Sequence, residues 1–156
     1  MMPSVKARQA MSALVVGAAS VAPGACSDDD DDGGASSVVP AVSAAALDGR
    51  MFASTEVEGA TLVDGTEITV AFRQGSVMAN AGCNTIGGAY TVVDSRLVVE
   101  DVGQTAMGCA EDLHRQEDWL LTFLDGDPSV SLENDVLTLS DDSVTIVAAE
   151  LGGSGG

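Results

Sequence analysis

The strongest constraint on the fold is a repeating pattern of short apolar runs separated by pairs of turn-forming residues. Between residues 47 and 151, runs rich in Val, Ile, Thr and Phe alternate with the pairs Asp64-Gly65, Gln74-Gly75, Asp94-Ser95, Asn134-Asp135 and Asp141-Asp142. Such runs predict strands, and closely spaced turns join neighbouring strands into antiparallel hairpins. The predicted strands are Met51–Val57, Glu67–Phe72, Ser76–Ala79, Ala89–Val93, Leu97–Glu100, Val130–Leu132, Val136–Leu139 and Val144–Ala148.

One segment departs from this pattern and predicts a helix. From Ala110 to Leu124, apolar side chains recur at helical spacing and share one broad face, namely Leu113, Trp119, Leu120, Phe123 and Leu124. The acidic residues Glu111 and Asp112 suit the first turn of a helix. We interpret Trp119 and Phe123 as core residues. The sequence therefore predicts a mainly β, α+β domain, with an antiparallel sheet curled or closed to protect its edges and one amphipathic helix.

The N-terminus has the pattern of a secretory signal. Lys6 and Arg8 form a short basic region, residues 10–22 are apolar, and small residues then lead to Cys26. The apolar stretch is too short for a membrane-spanning helix, which needs about 20 residues. We therefore assign residues 1–25 to a cleaved signal peptide and predict an exported protein.

The ending Gly24-Ala25-Cys26 resembles a bacterial lipoprotein signal, in which the cysteine thiol receives a diacylglycerol. Pro23 departs from that pattern, since a branched apolar residue is usual there. The resemblance implies a cell-envelope protein held at the membrane by lipid on Cys26, and acyl chains contribute about 0.8 kcal/mol per buried methylene. The alternative is ordinary cleavage and free secretion.

Residues 28–32 are consecutive aspartates that follow Cys26 and Ser27. With Gly33 they match the start of an EF-hand calcium loop, but Val39 occupies the position of the required glutamate. Self-repelling charges and small residues favour an extended spacer instead. We therefore assign residues 26–46 to an acidic flexible tether and residues 152–156 to a flexible tail.

The charge balance excludes one class of partner. The chain has 24 acidic and 6 basic residues, and two of those six, Lys6 and Arg8, leave with the signal. The remaining basic residues are all arginines. Such a surface repels phosphate backbones, so we expect no nucleic-acid binding. It would attract cationic partners without specifying one.

Two separated motifs stand out in the predicted domain. Residues 82–90 have the form G-C-N-x-x-x-G-x-Y, and residues 105–109 have the form T-x-M-x-C just before the predicted helix. Together they resemble the META domain family of HslJ-like lipoproteins, over almost all of residues 47–148. The resemblance implies a compact antiparallel, barrel-like sheet with one packed helix and an envelope location, and it implies no catalytic mechanism. The motif residues, interpreted as structural, are Gly82, Asn84, Gly88, Tyr90, Thr105 and Met107.

The first motif also predicts local structure. Gly82, Gly87 and Gly88 allow a tight loop, and Asn84 can fix that loop by bonding its own backbone.

Cys83 and Cys109 form one even pair once Cys26 carries lipid, and disulfides persist in oxidising compartments. We predict a structural disulfide, worth about 3–4 kcal/mol in the loop-entropy model. A redox-active pair and a metal site are the rivals. The sequence has no C-x-x-C motif of the kind found in redox-active cysteine pairs. A zinc site needs about four ligands, and the chain has a single histidine to add to the cysteines.

The sequence favours a binding protein over an enzyme. The sole histidine, His114, lies among polar residues of the predicted helix and is interpreted as a solvated surface residue. Acidic pairs such as Glu56/Glu58 are expected by chance in so acidic a chain. We predict no catalytic residues, metal or cofactor, and a role in binding an envelope protein or supporting the envelope under stress. The alternative is a binder of a lipid or other small apolar ligand in the mouth of the β structure.

Overall fold

The computed structural model describes residues 41–152. The predicted signal peptide, the predicted lipidation site Cys26, the aspartate run and residues 153–156 of the predicted tail lie outside this range. The elements, in chain order, are α1 (Ala44–Leu47), β1 (Met51–Glu58), β2 (Thr69–Arg73), β3 (Ser76–Asn80), β4 (Thr85–Val93), β5 (Arg96–Gln104), α2 (Glu111–Asp125), β6 (Ser129–Glu133), β7 (Val136–Ser140) and β8 (Thr145–Glu150). The predicted mainly β, α+β class is confirmed.

Tight turns connect three of the hairpins. Both central residues have positive φ at Gln74-Gly75 (49° and 75°), Asp94-Ser95 (49° and 59°) and Asn134-Asp135 (46° and 67°). This conformation matches the right-handed twist of the flanking strands, and Gly, Asn and Asp adopt it most readily. The predicted turns at these pairs are therefore confirmed, and they fix the register of β2–β3, β4–β5 and β6–β7.

The strands follow chain order around a closed antiparallel barrel, in which β8 pairs with β1. That closing ladder runs from Phe52↔Glu150 to Glu58↔Thr145. The joint between β5 and β6 is much shorter, with one paired position, Arg96↔Ser129. The connection between those two strands contains α2, which packs mainly on β5. Between β1 and β8 the barrel is thus closed by a long ladder of hydrogen bonds. Between β5 and β6 the ladder is short, and α2 contributes to the closure.

The barrel interior is filled with apolar side chains. Phe72 lies edge-on to Phe52 and to Tyr90, with ring centroids 6.2 and 5.0 Å apart. From α2, Leu120, Phe123 and Leu124 are buried in the same core. Trp119 is half-buried and stacks on Phe123, with centroids 6.0 Å apart, so both residues pack in or against the core as predicted. Within residues 41–152, neither helix combines the length and apolar character that crossing a membrane requires.

Helix α1 was not predicted from the sequence. It spans Ala44–Leu47, and the Ser43 side chain accepts a hydrogen bond from the Ala46 backbone nitrogen at its N-terminus. Val42 and Ala44 pack against the core, and the Tyr90 hydroxyl donates to the Ala44 carbonyl at 3.1 Å. The folded domain therefore begins several residues before residue 47, inside the segment assigned to the tether.

Gly87 and Gly88 lie within β4, so the prediction that they belong to a tight loop is wrong. The β4–β5 register shifts between Gly87 and Ala89, and Asp101 opposite has a positive φ of 53°. At this bulge the strands approach closely. A Cβ on Gly88 would overlap the Glu100 carbonyl oxygen, so glycine is required by the approach of the neighbouring backbone.

Arg50 reinforces the closing strands. Its Nε donates to Glu150 at 2.9 Å, its Nη2 donates to Asp135 at 2.6 Å, and its guanidinium carbon lies 5.3 Å from the centroid of the Phe52 ring. The hydrogen bond from Arg50 holds the pKa of Glu150 below its usual value. The pair therefore links the start of β1 to the end of β8.

Replacing Gly88 should destabilise the barrel, whereas replacing Gly103 should not. We expect Gly88→Ala to lower the free energy of unfolding by about 1–3 kcal/mol, because the added methyl must push β4 and β5 apart. A Cβ on Gly103, also a strand glycine, lies 3.9 Å from its nearest neighbour, so Gly103→Ala should be neutral or slightly stabilising. Urea unfolding of both variants measures the difference, and equal effects would contradict the assignment of the bulge.

Acidification should weaken the wild type more than Glu150→Gln. Since the folded-state pKa of Glu150 is lowered, its carboxylate contributes stability above the unfolded-state pKa, about 4.3. That contribution is lost as pH falls through the folded-state value. Urea midpoints measured from neutral pH downward should show the gap between the two proteins closing in the acid range. A gap that stays constant with pH would show that the ionised Glu150 carboxylate contributes nothing to the difference.

Candidate functional site

A buried glutamate organises one end of the barrel. Glu117 lies on the apolar face of α2, one turn from both Leu113 and Leu120, and its side chain is 0% exposed. Its carboxylate accepts hydrogen bonds from the backbone nitrogens of Cys83 (2.9 Å) and Asn84, and from Asn84 Nδ2 (2.8 Å). A buried carboxylate is tolerated when donors surround it in this way. Helix α2 is thereby docked onto the loop between β3 and β4.

Asn84 connects that loop to the segment after β5. Its Oδ1 accepts from Thr105 Oγ1 at 2.9 Å and from the Met107 backbone nitrogen at 2.8 Å. Besides Glu117, its Nδ2 also faces Cys109 Sγ at 3.3 Å. The prediction that Asn84 bonds its own backbone is therefore wrong, because the side chain makes long-range contacts instead. The local turn is held by Asn80, which accepts from Gly82 N and donates to the Asn84 carbonyl.

Cys83 and Cys109 form the predicted disulfide, with Cα atoms 6.2 Å apart and a sequence separation of 26 residues. The bond joins the β3–β4 loop to the segment just before α2. We call Cys83, Asn84, Thr105, Cys109 and Glu117 the Glu117 cluster. A covalent bond and the part-buried hydrogen bonds of the Asn84 side chain thus hold the same two loops together.

Gln116, next to Glu117, extends the polar contacts of α2. Its Oε1 accepts from the Val63 backbone nitrogen at 2.6 Å, and its Nε2 donates to the Ala81 carbonyl at 2.6 Å and to Thr66 Oγ1 at 3.0 Å. The long β1–β2 connection is therefore also attached to the helix. Within residues 41–152, every buried side-chain nitrogen and oxygen has a hydrogen-bond partner.

The structure gathers four of the six motif residues at this end of the barrel. Gly82, Asn84, Thr105 and Met107 belong to the two connected loops, and Gly82 has a φ of 125° that favours glycine. Gly88 lies in β4 at the bulge. Tyr90 lies in the core, where burial raises the pKa of its hydroxyl. These last two residues shape the barrel, and in the described part of the chain neither is hydrogen-bonded to the Glu117 cluster.

Met107 is the exposed part of this arrangement. Its backbone is fixed by Asn84, yet its side chain is 58% exposed beside the half-buried disulfide. His114 is half-buried rather than fully solvated, with Nε2 3.4 Å from the Cys109 backbone nitrogen. Glu56 and Glu58, the acidic pair attributed to chance, are exposed, and so are Asp141 and Asp142.

Glu117 and Gln116 were not among the predicted site residues. The signal for Glu117 was its place on the apolar face of the predicted helix, where a charged residue indicates a buried and partnered side chain. One carboxylate oxygen of Glu117 and the sulfur atoms of Cys83 and Cys109 lie within 4.8 Å of one another. As long as the two sulfurs are bonded to each other, the arrangement serves as a structural brace.

Comparisons with known proteins agree with this architecture. The family model described as "META domain" matches residues 45–151. One protein solved by NMR is 22% identical, with a TM-score of 0.56, over 69% of this chain and 94% of its own. A second NMR structure, of a protein from Burkholderia xenovorans, is 18% identical, with a TM-score of 0.58, over 69% of this chain and 86% of its own. These two likenesses show a shared fold. No curated protein gives a significant match.

Replacing Glu117 should destabilise the domain although the new side chain has the same shape. Glu117→Gln turns one acceptor oxygen into a donor that faces the donors of Cys83 and Asn84. We expect a loss of about 1.5–3 kcal/mol in the free energy of unfolding, measured by urea denaturation. Asp118→Asn makes the same chemical change on an exposed neighbour and should stay within about 0.5 kcal/mol of the wild type. Similar losses in both variants would refute an organising role for Glu117.

Proposed function

The chain belongs to the META domain family, and from that premise we propose that it is a non-enzymatic, lipid-anchored module of the bacterial cell envelope that binds another envelope protein. The proposed binding surface is centred on Met107. In this proposal the partner's chemistry is an apolar contact surrounded by positive charge, and the interaction supports the envelope under stress.

The observation that carries the proposal is the way the Met107 loop, residues 105–109, is held. The Asn84 side chain fixes the loop at Thr105 and Met107, and the disulfide fixes it at Cys109. The side chain so positioned is apolar and exposed. A rigid loop loses little conformational freedom on binding, and methionine adapts its shape to an apolar partner. Such bracing of an exposed apolar residue supports recognition.

The charges near this loop support a cationic rim on the partner. Glu100 and Asp101 lie on β5 shortly before the loop, while Glu111 and Asp112 lie in the first turn of α2 after it. All four are exposed. Complementary charge around an apolar centre raises association rates and selects among partners.

The contacts of the Glu117 carboxylate argue against a catalytic role for this residue. The carboxylate of Glu117 is shielded from solvent and already accepts hydrogen bonds from Cys83 and Asn84. A general base must reach the proton that it removes from a substrate, and this carboxylate faces backbone and amide donors instead. The contacts of Glu117 therefore support a structural role.

The alternative, a small apolar ligand in the mouth of the barrel, finds less support. The interior is filled by side chains such as Phe52, Phe72 and Leu137, each 0% exposed. A groove of about 470 Å³ lies on the outside, between the segment at Val42 and strands β6 and β7. It is lined largely by polar residues, among them Arg96, Ser129 and Thr138. Protein binding at Met107 is therefore the function that we prefer.

Photo-crosslinking in intact cells of the native host tests the proposal. A photoreactive amino acid in place of Met107 should give a discrete crosslinked protein in the membrane fraction. The matched control carries the same group at Val93, which is 52% exposed. Val93 ends β4, roughly 27 Å along the strand from Thr85, where β4 begins beside the cluster. The control position should give no such product.

The Cys26→Ser variant, tested in the same experiment, separates the effect of the proposed lipid anchor from that of the proposed binding surface. The variant should move from the membrane fraction to the soluble one, since it lacks the lipidated thiol. Equal products from positions 107 and 93, or none from either, would overturn the binding surface. A lipid crosslinked in place of a protein would favour the ligand-binding alternative.

A further inference from the structure

We infer that reducing the Cys83–Cys109 disulfide converts the Glu117 cluster into a binding site for a thiophilic divalent cation such as Zn²⁺. The ligands would be Cys83 Sγ, Cys109 Sγ and a carboxylate oxygen of Glu117. This inference does not depend on the proposed protein-binding role.

The first support is geometric. The three ligand atoms lie within 4.8 Å of one another, and they come from two loops and a helix that already meet. Zinc binds sulfur at about 2.3 Å and carboxylate oxygen at about 2.0–2.2 Å, so tetrahedral ligand atoms sit on the order of 3.5 Å apart. Releasing the S–S bond and shifting the side chains by about 1 Å would give this spacing.

The second support is electrostatic. Reduction would leave two thiols next to a carboxylate that is fully buried. Asn84 Nδ2 points at Cys109 Sγ, and Cys109 lies directly before Ala110, the N-cap of α2. An amide donor and a helix N-terminus both attract negative charge. Two thiolates and a carboxylate in so small a volume repel one another, and a divalent cation neutralises that repulsion.

Hydrogen bonds around the three ligands also suit a metal site. Backbone nitrogens of Cys83 and Asn84 orient the Glu117 carboxylate, and Gln116 holds the adjacent loop. Hydrogen bonds of this kind fix the direction of metal ligands. The three protein ligands leave the fourth position of a tetrahedral site to water.

The reduction requires a two-electron reductant as its co-reactant, and in the cell this would be a dithiol. The dithiol gives two electrons and two protons, the S–S bond breaks, two thiols form on Cys83 and Cys109, and the reductant closes its own disulfide. Binding of Zn²⁺ then releases the two thiol protons to solvent. Both cysteines are half-buried, so the disulfide is partly accessible to a reductant.

Spectroscopic titration with Co²⁺, followed by displacement with Zn²⁺, tests the inference. The protein is the full chain with Cys26→Ser, so that Cys83 and Cys109 are its only thiols. It is reduced with a phosphine, which is removed before metal is added under nitrogen. We expect a thiolate-to-Co²⁺ charge-transfer band that saturates at one equivalent and disappears on adding Zn²⁺. The oxidised protein should show no such band.

Variants assign the ligands. Cys109→Ser should abolish the charge-transfer band of a two-thiolate site, and Glu117→Gln should weaken Zn²⁺ binding by at least about 10-fold. Asp118→Asn, on the exposed side of the same helix, should bind as the parent does. Circular dichroism follows the fold throughout.

Three results would overturn the inference. They are a reduced parent protein with no charge-transfer band, a Cys109→Ser variant that binds Zn²⁺ as tightly as the parent, and a reduced chain that is unfolded and does not refold on adding Zn²⁺. A reduced chain that refolds with one equivalent of Zn²⁺ would support it.

Discussion

The docking of α2 through the Glu117 carboxylate is the interaction on which the arrangement of this domain depends. A buried carboxylate without donors would cost several kcal/mol, so the helix can settle in one position only, where the nitrogens of Cys83 and Asn84 meet it. That position also places the side chains of the helix's apolar face in the core. The polar contacts therefore specify the geometry, while the apolar contacts supply most of the stabilisation.

The strands and the main helix were predictable because their signals are local. Strand periodicity, the turn pairs and the apolar face of α2 each depend on residues within a few positions of one another. The errors arose where distant residues decide the structure. Gly87 and Gly88 suggest a loop on their own, but the approach of β5 makes them part of a strand. Helix α1 was missed because its four residues are fixed by packing and by Tyr90 rather than by periodicity.

The candidate site was predicted in part for the same reason. The Cys83–Cys109 bond followed from the number of cysteines, and the two motifs identified both loops. The roles of Asn84 and Glu117 did not follow, because each side chain bonds to groups more than 20 residues away in sequence. The position of Glu117 on the apolar face of the predicted helix was the available sign that its carboxylate needs buried hydrogen-bond donors.

The order of the strands around the barrel has a consequence for how the chain acquires its structure. The first strand, β1, pairs with the last, β8, so the ring cannot close until residues close to 150 are present. The hairpins β2–β3, β4–β5 and β6–β7 can form early, since each joins neighbouring segments, but the closing contacts span nearly the whole domain and form slowly. A chain that is still emerging from the ribosome, or passing N-terminus first through a narrow pore, therefore remains open and unclosed until its final strand arrives.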